Sequence, residues 1–245
     1  MRLRTIGDTL SGHEHLRVLD CNRSVTMKSQ PENTAASASR FDAEAAMWDE
    51  NPRRRELTDA IAQAIQQDVE LGASWRVLEY GCGTASLGFR LAPHVAEVVA
   101  ADASTGMIEQ VHRKLAQSPG VRLTPLLLDL SRQEAPAERF DLIVAAMIMH
   151  HVTDLDQLWT KLATMLVSTG VIAVADLCAE DGSFHGPARV PHNGFEPEAL
   201  SETIQRCVGK ASWQCRVIHK YAKNGVQYEV FLLTMKRAGE TPASS

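Results

Sequence analysis

Two patterns of apolar residues alternate along the chain from residue 75 onwards. One is the short continuous run that a strand buried on both faces shows, and it predicts strands at 75–80, 97–101, 122–128, 140–146 and 170–177. The other is apolar recurrence at helical spacing, as in Leu87 and Leu91, and it predicts helices at 86–91, 105–117, 155–166 and 197–208. Strands that alternate with helices imply a parallel sheet with right-handed crossovers and both faces covered, an α/β doubly wound fold. Two further strands, at 214–221 and 226–235, flank Asn224-Gly225, a strong two-residue hairpin signal.

The chain before residue 75 divides in two. Residues 1–40 are polar and nearly free of bulky apolar side chains, which predicts a flexible tail. From 41 to 72 the pattern becomes a helical cover. Phe41, Ala45 and Trp48 fall on one helix face, Asn51-Pro52 punctuates, and Leu57, Ile61, Ile65 and Val69 repeat every fourth residue. Arg53, Arg54 and Arg55 stand at the start of that second helix, the end where cations are disfavoured, and read as a solvated face. The segment 177–196 is irregular, rich in Gly, Pro and His, and is expected to be a functional loop. The domain is thus expected to span 41–237, followed by a short tail at 238–245.

Composition narrows the class. The formal net charge of −5 offers no broad cationic field, so a small-molecule partner is favoured and nucleic acid is not expected. There is no apolar run of about eighteen residues and no secretory signal pattern, so neither a membrane span nor export is expected, and a cytoplasmic location is the default. The five cysteines are odd in number and form no CxxC pair, so neither a disulfide framework nor a zinc knuckle is indicated.

The chemistry concentrates at strand ends. WRVLEYGCGTASLG, at 75–88, reads as strand, glycine turn, helix, in which glycines let the backbone approach a nucleotide-like ligand. Asp102 closes the next apolar run about twenty residues later, where an acidic residue meets ribose hydroxyls in doubly wound folds. Asp129 ends the third strand. His150 and His151 follow the fourth and are candidates for a general base, with a structural histidine as the alternative reading. Cys82 stands where the turn needs a small residue. No HxH or HxxxH spacing supports a metal site among the histidines near the cleft, so none is expected.

Taken in order, ExGCGTAS, VVAADAS-TGM and RFDLIVAAMIMHHV resemble the core of class I S-adenosylmethionine-dependent methyltransferases, in the small-molecule group that includes ubiquinone and menaquinone methylases. The resemblance spans about residues 41–236. It implies a Rossmann-like, mostly parallel seven-stranded sheet with an antiparallel C-terminal hairpin, S-adenosylmethionine as cofactor and S-adenosylhomocysteine as product. It assigns Glu79, Gly81, Cys82, Gly83, Asp102, Ala103, Met107, Asp129, Leu130 and Ala145 to cofactor binding. Phe41 and Trp48 would lie over the cleft, and His185 and His192 would cover the acceptor. For several of these a plainer role stands beside the functional one: capping or a salt bridge for Glu79, core packing for Met107, a turn for Asp129, helix docking for Phe41 and Trp48. Ala85 replaces the third glycine common in the family turn and is expected to be tolerated. Two rival readings are a methyltransferase-like binding or regulatory protein without turnover and a nicotinamide-dependent oxidoreductase. The oxidoreductase is disfavoured by GCGTAS in place of GxGxxG and by the lack of a Tyr-xxx-Lys pair.

Overall fold

The computed structural model describes residues 41–239, so the tail expected over 1–40 and the last residues from 240 lie outside the described residues. Seven strands form one sheet in the order β3-β2-β1-β4-β5-β7-β6. They are β1 (Arg76–Tyr80), β2 (Glu97–Asp102), β3 (Leu123–Leu127), β4 (Phe140–Ala146), β5 (Leu166–Leu177), β6 (Ala211–Lys223) and β7 (Val226–Arg237). The first five are parallel, and β7 enters antiparallel between β5 and β6. Asn224 and Gly225 both take positive φ, 52° and 80°, which matches the twist that a two-residue hairpin requires.

Alternation along each strand sorts the apolar residues into two cores. Val77, Val98, Leu142 and Ala173 face α1 (Pro52–Asp68), α2 (Ser86–Leu91) and α3 (Thr105–Ala116). Leu78, Val99, Ile143 and Ile172 face α4 (Leu155–Met165) and α5 (Pro197–Val208) on the other side. Both faces of the sheet are therefore dry, which is why its central strands read as continuous apolar runs.

The helix starts follow local chemistry. The Asn51 side chain accepts the Arg53 N–H ahead of Pro52, Ser104 accepts from Met107, and Asp154 accepts from Gln157. Two strands run beyond their expected boundaries, each for its own reason. β5 begins at Leu166 rather than 170, because Leu166 pairs with Phe140 across a bulge. β6 is longer than expected at both ends, since the outermost strand alternates exposed polar residues such as Ser212, Gln214 and Arg216 with half-buried ones. At the C-terminus, the Ala238 N–H donates to the Lys210 carbonyl, so ordered contacts run one residue past the expected boundary of 237.

Sheet order reverses between β1 and β4, and both are followed by loops at their carboxyl ends. A crevice opens at such a switch point. The helix that walls it, α1, is held by Leu57, Ile61 and Ile65, all buried as the four-residue spacing predicts. Replacing Ile65 by Ala is expected to cost about 2–5 kcal/mol of stability, read as an earlier urea midpoint with unchanged slope. A loss below ~1 kcal/mol would show that this helix is not part of the cooperative core.

Candidate functional site

A cavity of 940 Å³ lies over the carboxyl ends of β1, β2 and β4. Its floor is the glycine turn. Gly81, Gly83 and Ala85 all have positive φ, at 69°, 54° and 56°. Gly81 is needed twice over, since a Cβ there would also run into the Ile148 side chain. Ala85 carries a Cβ in the left-handed region, so it is tolerated at a backbone cost that a glycine would not incur.

One carboxylate ties this turn to the next strand. Asp102 accepts the Gly83 N–H on Oδ2 at 2.7 Å and the Ser104 N–H on Oδ1 at 2.8 Å. Burial raises its pKa, while the hydrogen bonds from Ser104, Gly83 and Ala103 act the other way. Glu79 lies one turn deeper. Ala85 gives α2 no side-chain cap, and Glu79 Oε2 supplies one by accepting the Gly88 N–H at 2.9 Å. Desolvation pushes Glu79 up to about 8, against the Gly88 hydrogen bond and the Lys114 charge. The thiol of Cys82 is likewise pushed up by burial, which leaves it unreactive and consistent with a steric place in the turn.

The segment before α1 covers the floor. A short helical turn from Phe41 leads into a 3-10 helix, Ala45–Glu50, and both Phe41 and Trp48 line the cavity, their rings 5.6 Å apart. Arg54 sits over Trp48 at 3.7 Å and pairs with Glu44, while Arg53 and Arg55 are exposed.

Two carboxylates fasten this cover. Asp42 Oδ1 accepts from Ser104 Oγ at 2.5 Å and from the Gly106 N–H at 2.8 Å. Asp49 Oδ1 accepts from Thr84 Oγ1 at 2.7 Å and Ser86 Oγ at 2.9 Å, and its Oδ2 receives Lys114 Nζ at 3.0 Å. Lys114 also donates to the Thr84 carbonyl at 2.8 Å, so one ammonium joins α3, the glycine turn and the cover.

The opposite end of the cavity is aromatic and imidazole-rich. His150 is buried, and its Nδ1 donates to Asp176 Oδ1 at 2.6 Å. Asp176 is itself held by the N–H groups of Met149 and Leu177. In its neutral form a ring bonded to a carboxylate through Nδ1 carries its proton there and keeps a lone pair on Nε2. His151 and His185 lie beside it, with Phe41 edge-on to His151 at 5.3 Å and Phe184 packed on His185 at 4.9 Å.

Glu79, Gly81, Cys82, Gly83, Asp102, Ala103, Met107, Asp129 and Leu130 all border the cavity, as do His150, His151 and His185. Two residues do not. Ala145 points into the core on the α4 side, because alternation along β4 hands the cleft to Ala146 and the following Met147. His192 donates through Nε2 to the Val152 carbonyl at 2.9 Å and its N–H bonds the His150 carbonyl, so it braces the histidine turn from behind. Burial lowers its pKa, which keeps it neutral. Asp129 borders the cavity and also serves its turn by accepting from Ser131. Asp42, Asp49, Lys114 and Asp176 escape a reading based on spacing, since their partners lie far away in the chain. The one local signal is that both cover carboxylates directly follow aromatic residues, in Phe41-Asp42 and Trp48-Asp49.

Residues 77–170 match the methyltransferase-domain family. An uncharacterised methyltransferase of Schizosaccharomyces pombe is 29% identical over 140 residues, 51% of this chain and 49% of that protein. The chain thus spans about half the length of that relative. A ubiquinone biosynthesis O-methyltransferase of Ruegeria is 28% identical over 218 residues, covering 83% of this chain and 81% of its own. Among solved structures, the N-methyltransferase NodS of Bradyrhizobium japonicum, bound to S-adenosylhomocysteine, has a TM-score of 0.62 at 19% identity, over 85% of this chain and all (100%) of its own. At that identity the likeness concerns the fold.

The cover's latch has a pH signature. Burial would raise Asp49, but the Thr84 hydrogen bond and the Lys114 ammonium outweigh it and hold the carboxyl below its ordinary 3.8. A depressed folded value means that the contribution is present above the ordinary pKa and is lost as pH falls through the folded one. Asp49→Ala is expected to speed amide exchange across Ala45–Glu50 by about five- to tenfold at neutral pH, on the order of 1 kcal/mol for a half-exposed charged cluster. Unchanged exchange would show that packing of Phe41 and Trp48 alone holds the cover.

Proposed function

Given that this chain belongs to the class I S-adenosylmethionine-dependent methyltransferases, we propose that its cleft transfers a methyl group from that cofactor to a small-molecule nucleophile. The observation that carries the reading is Asp102, a buried carboxylate that locks the glycine turn to the end of β2 and borders the cavity.

The residues present fit S-adenosylmethionine. The turn side of the cavity offers Glu79, Asp102 and Asp129, and its neighbouring cation Lys114 is engaged by Asp49, Thr84 and Ser86. Such a wall suits a cationic ligand with ribose hydroxyls. A Cβ added at Gly83 would stand 3.7 Å from Trp48 Nε1 and 3.9 Å from Met107 Sδ, so turn, cover and Met107 bound one shared space. A cavity of 940 Å³ accommodates a cofactor together with an acceptor.

When bound, the cofactor supplies a methyl group on a sulfonium, and no acid is needed for the thioether leaving group. The chain's own residues orient, enclose and deprotonate. Asp102 uses its remaining lone pairs for ribose hydroxyls, beside Gly81, Gly83 and Ala103. Met107, Asp129 and Leu130, which border the same cavity, would hold the adenine end, Met107 through its polarizable thioether. Phe41 and Trp48 exclude water from the transfer. His150, set by Asp176, takes the acceptor's proton on Nε2, and His151 and His185 enclose the acceptor with Phe184. An oxygen nucleophile is favoured by these imidazoles and by the name of the Ruegeria relative. A cytoplasmic setting and a partner other than nucleic acid belong to the same proposal. It is supported by the net charge of −5 and by the absence, among the described residues, of a helix long and apolar enough to cross a membrane.

Calorimetric titration with S-adenosylmethionine and S-adenosylhomocysteine, with nicotinamide dinucleotides as controls, tests the cofactor. A panel of hydroxylated small molecules, with S-adenosylhomocysteine release as the signal, tests turnover. One site for the sulfur cofactors alone is expected. Asp102→Ala should weaken it by about 1–3 kcal/mol, and unchanged affinity would remove Asp102 from the site. His150→Ala should lower turnover by about 10²–10⁴ with cofactor affinity retained.

Glu79 adds a proton-linked outcome. With its carboxyl raised to about 8, the free protein holds that proton at pH 7, and a cationic ligand beside it drives the proton off. Binding of S-adenosylmethionine at pH 7 is therefore expected to release a proton, seen as a buffer-dependent enthalpy, and Glu79→Gln should abolish that dependence. An enthalpy independent of buffer in the wild-type protein would contradict the placement of Glu79 beside the cationic end.

A further inference from the structure

We propose that His150, His151 and His185 form a binding site for one divalent transition-metal ion of the zinc, cobalt or nickel type at the acceptor end of the cleft. Each side chain offers one ring nitrogen, and the three nitrogens lie within 4.8 Å of one another. In a tetrahedral site with metal–nitrogen bonds of about 2.0–2.1 Å, ligand nitrogens stand ~3.3 Å apart and ring centroids ~5 Å apart. The centroids here are separated by 4.2, 4.9 and 5.3 Å. Two of these separations are those of a tris-imidazole site and the third is shorter, so the nitrogens draw closer when one ion is held by all three.

Asp176 supplies the support such a site needs. It holds Nδ1 of His150 at 2.6 Å, which leaves Nε2 as the ligating atom and fixes the orientation of the ring. The buried carboxylate is anchored by two backbone N–H groups, so it does not follow the imidazole when an ion binds. The donor set is three imidazoles with no thiolate, which selects borderline ions over calcium or magnesium. All three residues border the cavity, so a fourth position opens toward the space where an acceptor would lie. The spacing along the chain does not announce the site, because His185 comes from the loop after β5.

The site stands on these side chains; its use rests on the methyl-transfer reading. An acceptor hydroxyl bound at the open position gives its proton to solvent water and stays on the ion as an oxyanion, with no change in the metal. In that state His150 is a ligand, and its role as proton acceptor belongs to the metal-free protein. The acceptor class this favours is a hydroxylated small molecule that can ligate through oxygen.

The test uses the untagged full chain, stripped with a chelator and titrated with zinc and with cobalt(II) by calorimetry and visible spectroscopy. One equivalent is expected, with the cobalt bands of a four- or five-coordinate ion. His151→Ala and His185→Ala should each weaken binding by tenfold or more, and Asp176→Asn by about 10–100-fold. His112→Ala, on an exposed helix face, should change nothing, and the double variant His13→Ala/His15→Ala excludes the HEH sequence near the N-terminus as the source. An unchanged urea midpoint and slope in His185→Ala serve as the check that the fold is intact. Absence of stoichiometric binding, binding unchanged in His185→Ala, or binding lost with His13 and His15 would each overturn the site. Metal binding without S-adenosylmethionine binding would keep the site and remove the methyl-transfer reading; the reverse would do the opposite.

Discussion

The geometry of the cleft depends on Asp102, whose carboxylate holds the N–H groups of Gly83 and Ser104 at once. These belong to the loops after β1 and β2, so a single side chain sets the distance between two strand ends. Ser104 then carries the constraint outward. Its hydroxyl caps α3 at Met107 and donates to Asp42 in the cover. Sheet, helix and cover are linked through three polar contacts, all of which involve Ser104. The arrangement places two carboxylates near one hydroxyl, and the nearby Asp42 charge adds to the upward shift of Asp102.

The sheet was legible because both its faces are dry. The boundaries of β4 and of α5 agree with the expected 140–146 and 197–208, since apolar runs and Pro197 mark them sharply. Edge strands were less so: β6 is half solvated, and its alternating polar positions hide its length. In the site, the glycine turn and Asp102 are local signals, and they border the cavity together as the motif order implies. Ala145 faces the α4 side while its neighbour Ala146 borders the cavity, since one position along a strand sends a side chain to the other face. Asp49, Lys114 and Asp176 were invisible because each acquires its meaning only from a partner brought close by folding.

The two ends of the cleft are built on the same plan with different consequences. At one end carboxylates bind backbone N–H groups and stiffen a glycine turn. At the other, Asp176 uses backbone N–H groups to stiffen itself and then orients an imidazole. The first end presents negative charge to a ligand, the second presents lone pairs on nitrogen. A single cavity therefore has a face suited to a cation and a face suited to an acid.

Gly106 has a consequence beyond conformation. A Cβ there would stand 2.9 Å from the Cα of Asp42 and 3.1 Å from its carbonyl oxygen, backbone atoms that cannot turn aside. A side chain at 106 and the cover in its present seat exclude one another. In this chain, alanine or serine at the second residue of the helix would oblige the Asp42 backbone, and the cover that begins there, to shift from its seat. The seat of the roof is thus set by a helix position that bears no side chain.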